Sequence, residues 1–133
     1  VMYFGGKMSK LYSGSCHCGL IKFEVLADID HLRACNCSIC IRRGALNFRV
    51  PKENLTVLSS MKDASLYQWG SETAEDYFCP KCGILPFRKP SKLTEAEIAA
   101  GKVEFTGWAL NARCLNNFNL KEFFVIKIDG ASL

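Results

Sequence analysis

What this chain lacks narrows its class before anything it contains. No apolar run approaches the roughly 20 residues that a membrane-spanning helix needs. No basic segment followed by an apolar one marks a secretory leader, so a soluble protein in a reducing, cytoplasmic compartment is expected. Charge of one sign is scarce, with 17 Lys and Arg against 13 Asp and Glu and a formal charge of +4. Only two histidines are present, His17 and His31. No Ser/His/Asp constellation, working pair of carboxylates or phosphate-cradling glycine loop is visible, which leaves triad hydrolysis and phosphate transfer without a carrier. Repeats, linkers and low-complexity stretches are missing too, so 133 residues fit one domain with a real core. The hydrophobic share of 49% against 23% charged excludes a disordered chain.

Cysteine is what the chain has in excess. Seven of its eight cysteines fall in three clusters, Cys16-x-Cys18, Cys35-x-Cys37-x-x-Cys40 and Cys79-x-x-Cys82, and Cys114 stands alone. Cysteines this close seldom bond one another, because a disulfide wants Cα atoms about 5.5–6 Å apart. The same spacing suits thiolates converging on one ion, and zinc is the expected metal. In Cys79-Pro80-Lys81-Cys82-Gly83, Pro80 stiffens a turn and Gly83 permits the positive φ that aims backbone N–H groups at a sulfur. Cys16-His17-Cys18-Gly19 is a shorter knuckle of the same kind. Together the two knuckles would surround one Zn²⁺ with four sulfurs and tie distant parts of the chain. Four thiolates already satisfy zinc there, so His17 and His31 are expected not to be ligands.

That pairing leaves Cys35, Cys37 and Cys40. Three protein ligands and an open fourth position describe a catalytic zinc. Two other arrangements compete: Cys114 closes the second site, or the trio pairs with one of the knuckles. Spacing alone does not decide which clusters pair.

Short strands dominate the rest. Ile21, Phe23 and Val25 alternate with Lys22 and Glu24, predicting a strand over 20–26 with one buried face. Further strands are expected over 45–50, 55–58, 66–69, 77–78, 103–110 and 123–128. A helix is expected near 95–100, where Thr94 and Glu97 form a capping box and Gly101 terminates. Phe23, Phe48, Tyr67, Trp69, Phe78 and Phe87 are expected in the core. Residues 1–10 lack Met at the first position and carry Gly5-Gly6. They read as an N-terminal extension, in part foreign to the natural chain, ahead of a zinc-binding domain over 11–133. The fold class is mainly β, a single domain.

With these clusters in place, the chain resembles the family of glutathione-dependent formaldehyde-activating enzymes, which includes the centromere protein V group. The matching stretches are Gly14-Ser15-Cys16-His17-Cys18-Gly19, Cys35-Asn36-Cys37-Ser38-Ile39-Cys40 with Arg42-Arg43-Gly44-Ala45, and Phe78-Cys79-Pro80-Lys81-Cys82-Gly83. Asn111-Ala112-Arg113-Cys114-Leu115 and Asp129-Gly130 also look like the family's C-terminal part. The resemblance implies a β-tent, Mss4-like fold of antiparallel sheets with one short helix. It implies two zinc ions, a structural one at Cys16, Cys18, Cys79 and Cys82 and a catalytic one at Cys35, Cys37 and Cys40. It further implies glutathione as co-substrate and carbon–sulfur lyase activity like that of S-(hydroxymethyl)glutathione synthase. Ile41 stands where many members carry Arg, and Ile84-Leu85-Pro86 where many carry a small polar residue or His.

Glutathione has two carboxylates, so its pocket should present cations. Arg42 and Arg43, just past Cys40, are the candidates, with Arg49 and Lys52 behind them. A thiol with a pKa near 8.5 is little ionised at neutral pH, and zinc would hold it as thiolate for addition to an aldehyde such as formaldehyde. Two zinc ions add four positive charges and seven thiolates remove seven, which takes the formal +4 to +1. That balance argues against nucleic acid as partner. The alternative function is a non-catalytic zinc-stabilised binding module, or a thiol or zinc sensor. Oligomeric state is unreadable from the sequence.

Overall fold

A computed structural model describes residues 2–4 and 7–132. Two sheets make up the domain. The smaller has four strands in the order β1 (Met2–Phe4), β2 (Lys7–Ser15), β3 (Lys22–Ala27), β6 (Leu55–Val57). The larger has seven: β11 (Phe124–Ile128), β4 (His31–Cys35), β5 (Asn47–Val50), β10 (Trp108–Asn111), β9 (Phe87–Lys89), β8 (Glu75–Phe78), β7 (Ser65–Tyr67). The mainly β architecture is the one expected. One pairing departs from antiparallel: β11 runs parallel to β4. Parallel neighbours need a long crossover, and here most of the domain lies between the two strands. Among the described residues two short α-helices are present rather than one, α1 (Ser38–Arg43) and α2 (Glu95–Ala99). Among the described residues no helix is long and apolar enough to cross a membrane.

The period-2 pattern around Phe23 becomes β3, whose buried positions are Phe23, Val25 and Ala27. β3 starts at Lys22 because the preceding residues close a turn, in which Cys16 N–H donates to Ile21 O at 3.0 Å. β2 runs through residue 11, with Lys10 facing Ala27 and Gly14 facing Phe23. Glycine is required at 14: a Cβ there would meet the Phe23 ring at 2.4 Å. α2 begins on the expected capping box, Thr94 and Glu97 each satisfying the other's backbone N–H. Of the strand expected over 103–110 only Trp108–Asn111 forms, and Val103 is 90% exposed.

Cross-strand partners share a face of a sheet, so the pairings sort the larger sheet into two surfaces. On one, Phe48 faces Leu110, Leu110 faces Phe87, and Phe87 faces Tyr77. This face packs on the smaller sheet, with Phe23 edge-on to Phe87 at 5.6 Å and Phe87 edge-on to Trp108 at 5.2 Å. Phe23, Val25, Leu32, Phe87 and Leu110 are fully buried there. On the other, Arg33 faces Asn47, Asn47 faces Asn111, Arg49 faces Ala109, Ala109 faces Arg88, and Arg88 faces Asp76. Cys35, two residues past Arg33, points the same way. The core expectation holds for Phe23 and Phe87, while Phe48 and Phe78 are half-buried. It fails for Tyr67, which ends the edge strand β7, and for Trp69, two residues beyond it; both are exposed.

Candidate metal centres

Both knuckles form at strand ends. β2 delivers Cys16, whose sulfur accepts the Ile21 N–H at 3.3 Å, while Gly19 turns the chain at φ +84°. β8 delivers Cys79, whose sulfur accepts the Cys82 N–H at 3.5 Å, while Gly83 turns at φ +78°. Backbone N–H groups thus point at sulfur in both, as the glycine positions require. The four sulfurs of Cys16, Cys18, Cys79 and Cys82 lie within 4.8 Å of one another. Cys16 to Cys18 is 3.7 Å and Cys18 to Cys79 is 3.5 Å. A tetrahedron with Zn–S bonds of about 2.3 Å has edges near 3.8 Å, so the spacing and the all-sulfur donor set fit zinc. Desolvation opposes ionisation of Cys82, but backbone N–H groups of Cys18 and Ile84, together with the thiols of Cys79 and Cys16, outweigh it and bring its pKa down to about 6. Because β2 belongs to the smaller sheet and β8 to the larger, this quartet joins the two layers.

The trio forms differently. Cys35 ends β4, and Cys37 is the N-cap of α1. Cys40 lies three residues further along the helix, on the same face. Gly44, in the left-handed region at φ +66°, ends the helix by donating to Cys40 O at 2.9 Å. The three sulfurs lie within 4.8 Å of one another, and among the described residues no fourth His, Cys, Asp or Glu joins them. Burial disfavours the Cys37 thiolate, yet the Cys40 backbone N–H and the neighbouring thiols win and lower its pKa. Cys40, more deeply placed, is pushed up to about 12, chiefly by burial. The donor chemistry is again that of a zinc site, so each cluster could hold a metal ion.

Cys114 is in neither cluster. Its side chain is buried in the core, with Leu85 O at 3.9 Å as the nearest acceptor. Burial pushes its thiol up to about 12, with the sulfurs of Cys16 and Cys82 adding to the effect. It therefore lies on the quartet's side of the molecule, and closure of the trio by Cys114 does not occur.

A cavity of about 690 Å³ opens beside the trio. Cys35, Cys37 and Cys40 lie on its wall, the polar face of the larger sheet supplies Arg33, Asn47, Arg49, Arg88 and Ala109, and Trp69 and Phe105 close its rim. Of the expected cations only Arg49 is here. Arg42 is exposed and donates to Ser38 O at 3.0 Å within its own helix. Arg43 donates to Asp76 Oδ2 at 2.9 Å and lines a separate cavity of about 410 Å³ with Ile84 and Leu85. Lys52 lies in a 3₁₀ turn outside both cavities. Arg33 and Arg88 escaped the sequence because nothing local marks them; only strand pairing brings them to the cysteines.

The sequence model of the family described as glutathione-dependent formaldehyde-activating enzyme matches residues 11–111. The chain belongs to this family. The crystal structure of a Rhodobacter sphaeroides protein is similar at 27% identity and a TM-score of 0.67, covering 86% of this chain and 99% of that one. The family match takes in the quartet, the trio, α1 and the strands that carry Arg33, Arg49 and Arg88. In this formaldehyde-activating family member, β11 and the loop that lays Gly130 against the trio fall beyond the matched stretch.

Proposed function

We propose that the chain adds a thiol, with glutathione the best candidate, to formaldehyde or a similar small aldehyde, as a carbon–sulfur lyase resembling S-(hydroxymethyl)glutathione synthase. The observation that carries this reading is the trio: three thiol side chains converge on the wall of a roomy cavity, and among the described residues no fourth His, Cys, Asp or Glu caps them. Zinc held by Cys35, Cys37 and Cys40 would supply a seat on which an incoming thiol loses its proton. In the addition, a sulfur lone pair forms the new C–S bond while the carbonyl π pair moves to oxygen. That oxygen takes up a proton, so the proton lost from the thiol balances the one gained.

The chain's own residues have three tasks. Cys35, Cys37 and Cys40 fix the place where the sulfur sits, through a strand end and a helix start that hold them together. Arg88 faces the trio closely enough to favour the thiolate of Cys40, offsetting negative charge gathered there. The walls of the cavity confine both reactants, and such positioning accounts for much of the rate gain open to a bimolecular addition. Cys16, Cys18, Cys79 and Cys82 serve the fold, clamping one sheet to the other.

Thiols add to formaldehyde spontaneously, so the test is acceleration over that background. The wild-type chain loaded with zinc should speed hemithioacetal formation from glutathione, and Cys37→Ser should abolish the gain. A rate equal to background for the wild type would leave a zinc-stabilised binding module or sensor instead.

A further inference from the structure

We infer that Arg33, Arg49 and Asn47 form a subsite for one end of the thiol substrate, namely an α-carboxylate whose α-carbon also carries an N–H. This deepens the proposed function and rests on it. Strand pairing puts Arg33 opposite Asn47, and Arg49 two residues along β5 on the same face. All three line the cavity that holds the trio, and Ala109 beside Arg49 leaves its floor open.

Charge in this corner is unbalanced. Asp76 is shared between Arg43 at 2.9 Å and Arg88 at 2.6 Å, so one carboxylate already serves two guanidiniums. Among the described residues neither Arg33 nor Arg49 has an ion-pair partner. The Arg49 guanidinium lies over the Phe105 ring at 5.0 Å, which orients it without neutralising it. Desolvation and the charges of Arg33 and Arg88 hold the Arg49 pKa below its ordinary value. Two adjacent guanidiniums in a partly desolvated wall match a carboxylate, which can accept from both.

Asn47 adds the second half. Its Oδ1 is buried and has no hydrogen-bond partner. A buried acceptor left unpaired is costly, and groups of this kind are rare unless a ligand meets them. The acceptor calls for a donor, while the guanidiniums call for an anion. Both ends of glutathione offer that combination, an ammonium or an amide N–H beside a carboxylate. A competing role for the arginines is to offset the negative trio. Charge balance alone would leave the buried Asn47 acceptor without a donor, whereas a bound carboxylate with its neighbouring N–H satisfies both groups.

Binding of S-methylglutathione, which keeps both carboxylates but has no thiol, tests the subsite without turnover. The Trp69 side chain on the cavity rim gives a fluorescence signal, and the dimethyl ester of the same probe is the control. Arg49→Met should weaken the acid on the order of 10-fold or more, leave the ester unchanged, and leave the zinc content of the chain unchanged. Asn47→Leu should weaken acid and ester alike, since both keep the N–H. Equal affinity of the wild type for acid and ester would overturn the subsite. So would loss of metal from Arg49→Met, or equal weakening of both probes by that variant. If the wild type discriminates acid from ester but does not speed thiol addition, the subsite stands and the proposed reaction falls. Acceleration without discrimination sinks the subsite alone.

Discussion

The backbone of Gly130 passes so close to Cys35 that a Cβ at 130 would lie 2.4 Å from its sulfur and 3.3 Å from the Cβ of Cys37. This segment is pinned in place. Asn36, between the two cysteines, donates from its side chain to Asp129 at 3.0 Å and accepts the Ala131 N–H at 2.9 Å, while its own N–H donates to Ile128 O at 3.1 Å. The end of β11 is thus a wall of the trio, and glycine is the residue that lets the wall approach.

Gly130→Ala should therefore displace the Cys35 sulfur. We expect zinc to fall from two per chain toward one, measured by elemental analysis, with the quartet's metal retained and the fold intact. Unchanged stoichiometry would mean that the clasp yields more easily than the sulfur.

Cys37→Ser and Cys114→Ala should separate the two kinds of thiol. Cys37→Ser removes a member of the trio and should cost one zinc and all accelerated thiol addition. Cys114→Ala should keep both zincs, because Cys114 is a member of neither sulfur cluster. It should lower the stability of the fold by about 1 kcal/mol, the usual cost of trimming a buried side chain, seen as a reduced urea midpoint. Loss of a zinc from Cys114→Ala would contradict the assignment of the trio.

Residue order alone exposes the cysteine clusters, because ligand spacing is local: Cys79-x-x-Cys82 with Gly83 describes its own turn. The α2 capping box is legible for the same reason, as Thr94 and Glu97 are three residues apart. α1 was hidden because six residues are too few for a helical period to show. β4 was hidden because it has five residues and its alternation, Leu32 and Ala34 against His31 and Arg33, rests on one large apolar side chain. The cations expected next to Cys40 in sequence, Arg42 and Arg43, do not line the cavity beside the trio, for a related reason. Arg42 follows Cys40 by two helical residues and so faces away from it, whereas Arg88 comes from β9, far along the chain, through register with Ala109. Proximity in sequence and proximity at the site coincide only within a turn.

Tyr77 supplies a pH-dependent prediction. Its hydroxyl donates to Glu75 Oε1, and burial followed by the adjacent carboxylate pushes its pKa up to about 12. The folded state therefore favours the neutral phenol. The stability this provides is fully present below the ordinary tyrosine pKa of about 10 and is lost as pH rises through the folded value of about 12. Ultraviolet titration should show Tyr77 still protonated after an unperturbed tyrosine has ionised; Tyr12 is also raised, chiefly by burial, so the Glu75 variant identifies which step belongs to Tyr77. Glu75→Gln should bring that step down toward 10 and flatten the alkaline loss of stability relative to wild type.

Asp76 offers the most severe test of how the site is held. Its carboxylate is 1% exposed and accepts from Arg43 of α1 at one oxygen and from Arg88 of β9 at the other. Removing it leaves two guanidiniums, 13% and 16% exposed, with no counter-charge. Breaking a buried ion pair from one side costs about 3–5 kcal/mol, so Asp76→Ala should lose most of a small domain's stability in urea. The effect should also reach the metal. Arg43 ties α1 to β8 through this carboxylate, and α1 carries Cys40, so the trio should release zinc at lower urea than the quartet does. Asp76→Asn, which keeps the shape and one acceptor, should fall between the two proteins on both measures. Equal release of both zincs in Asp76→Ala would show that the helix is held by its cysteines and not by Arg43.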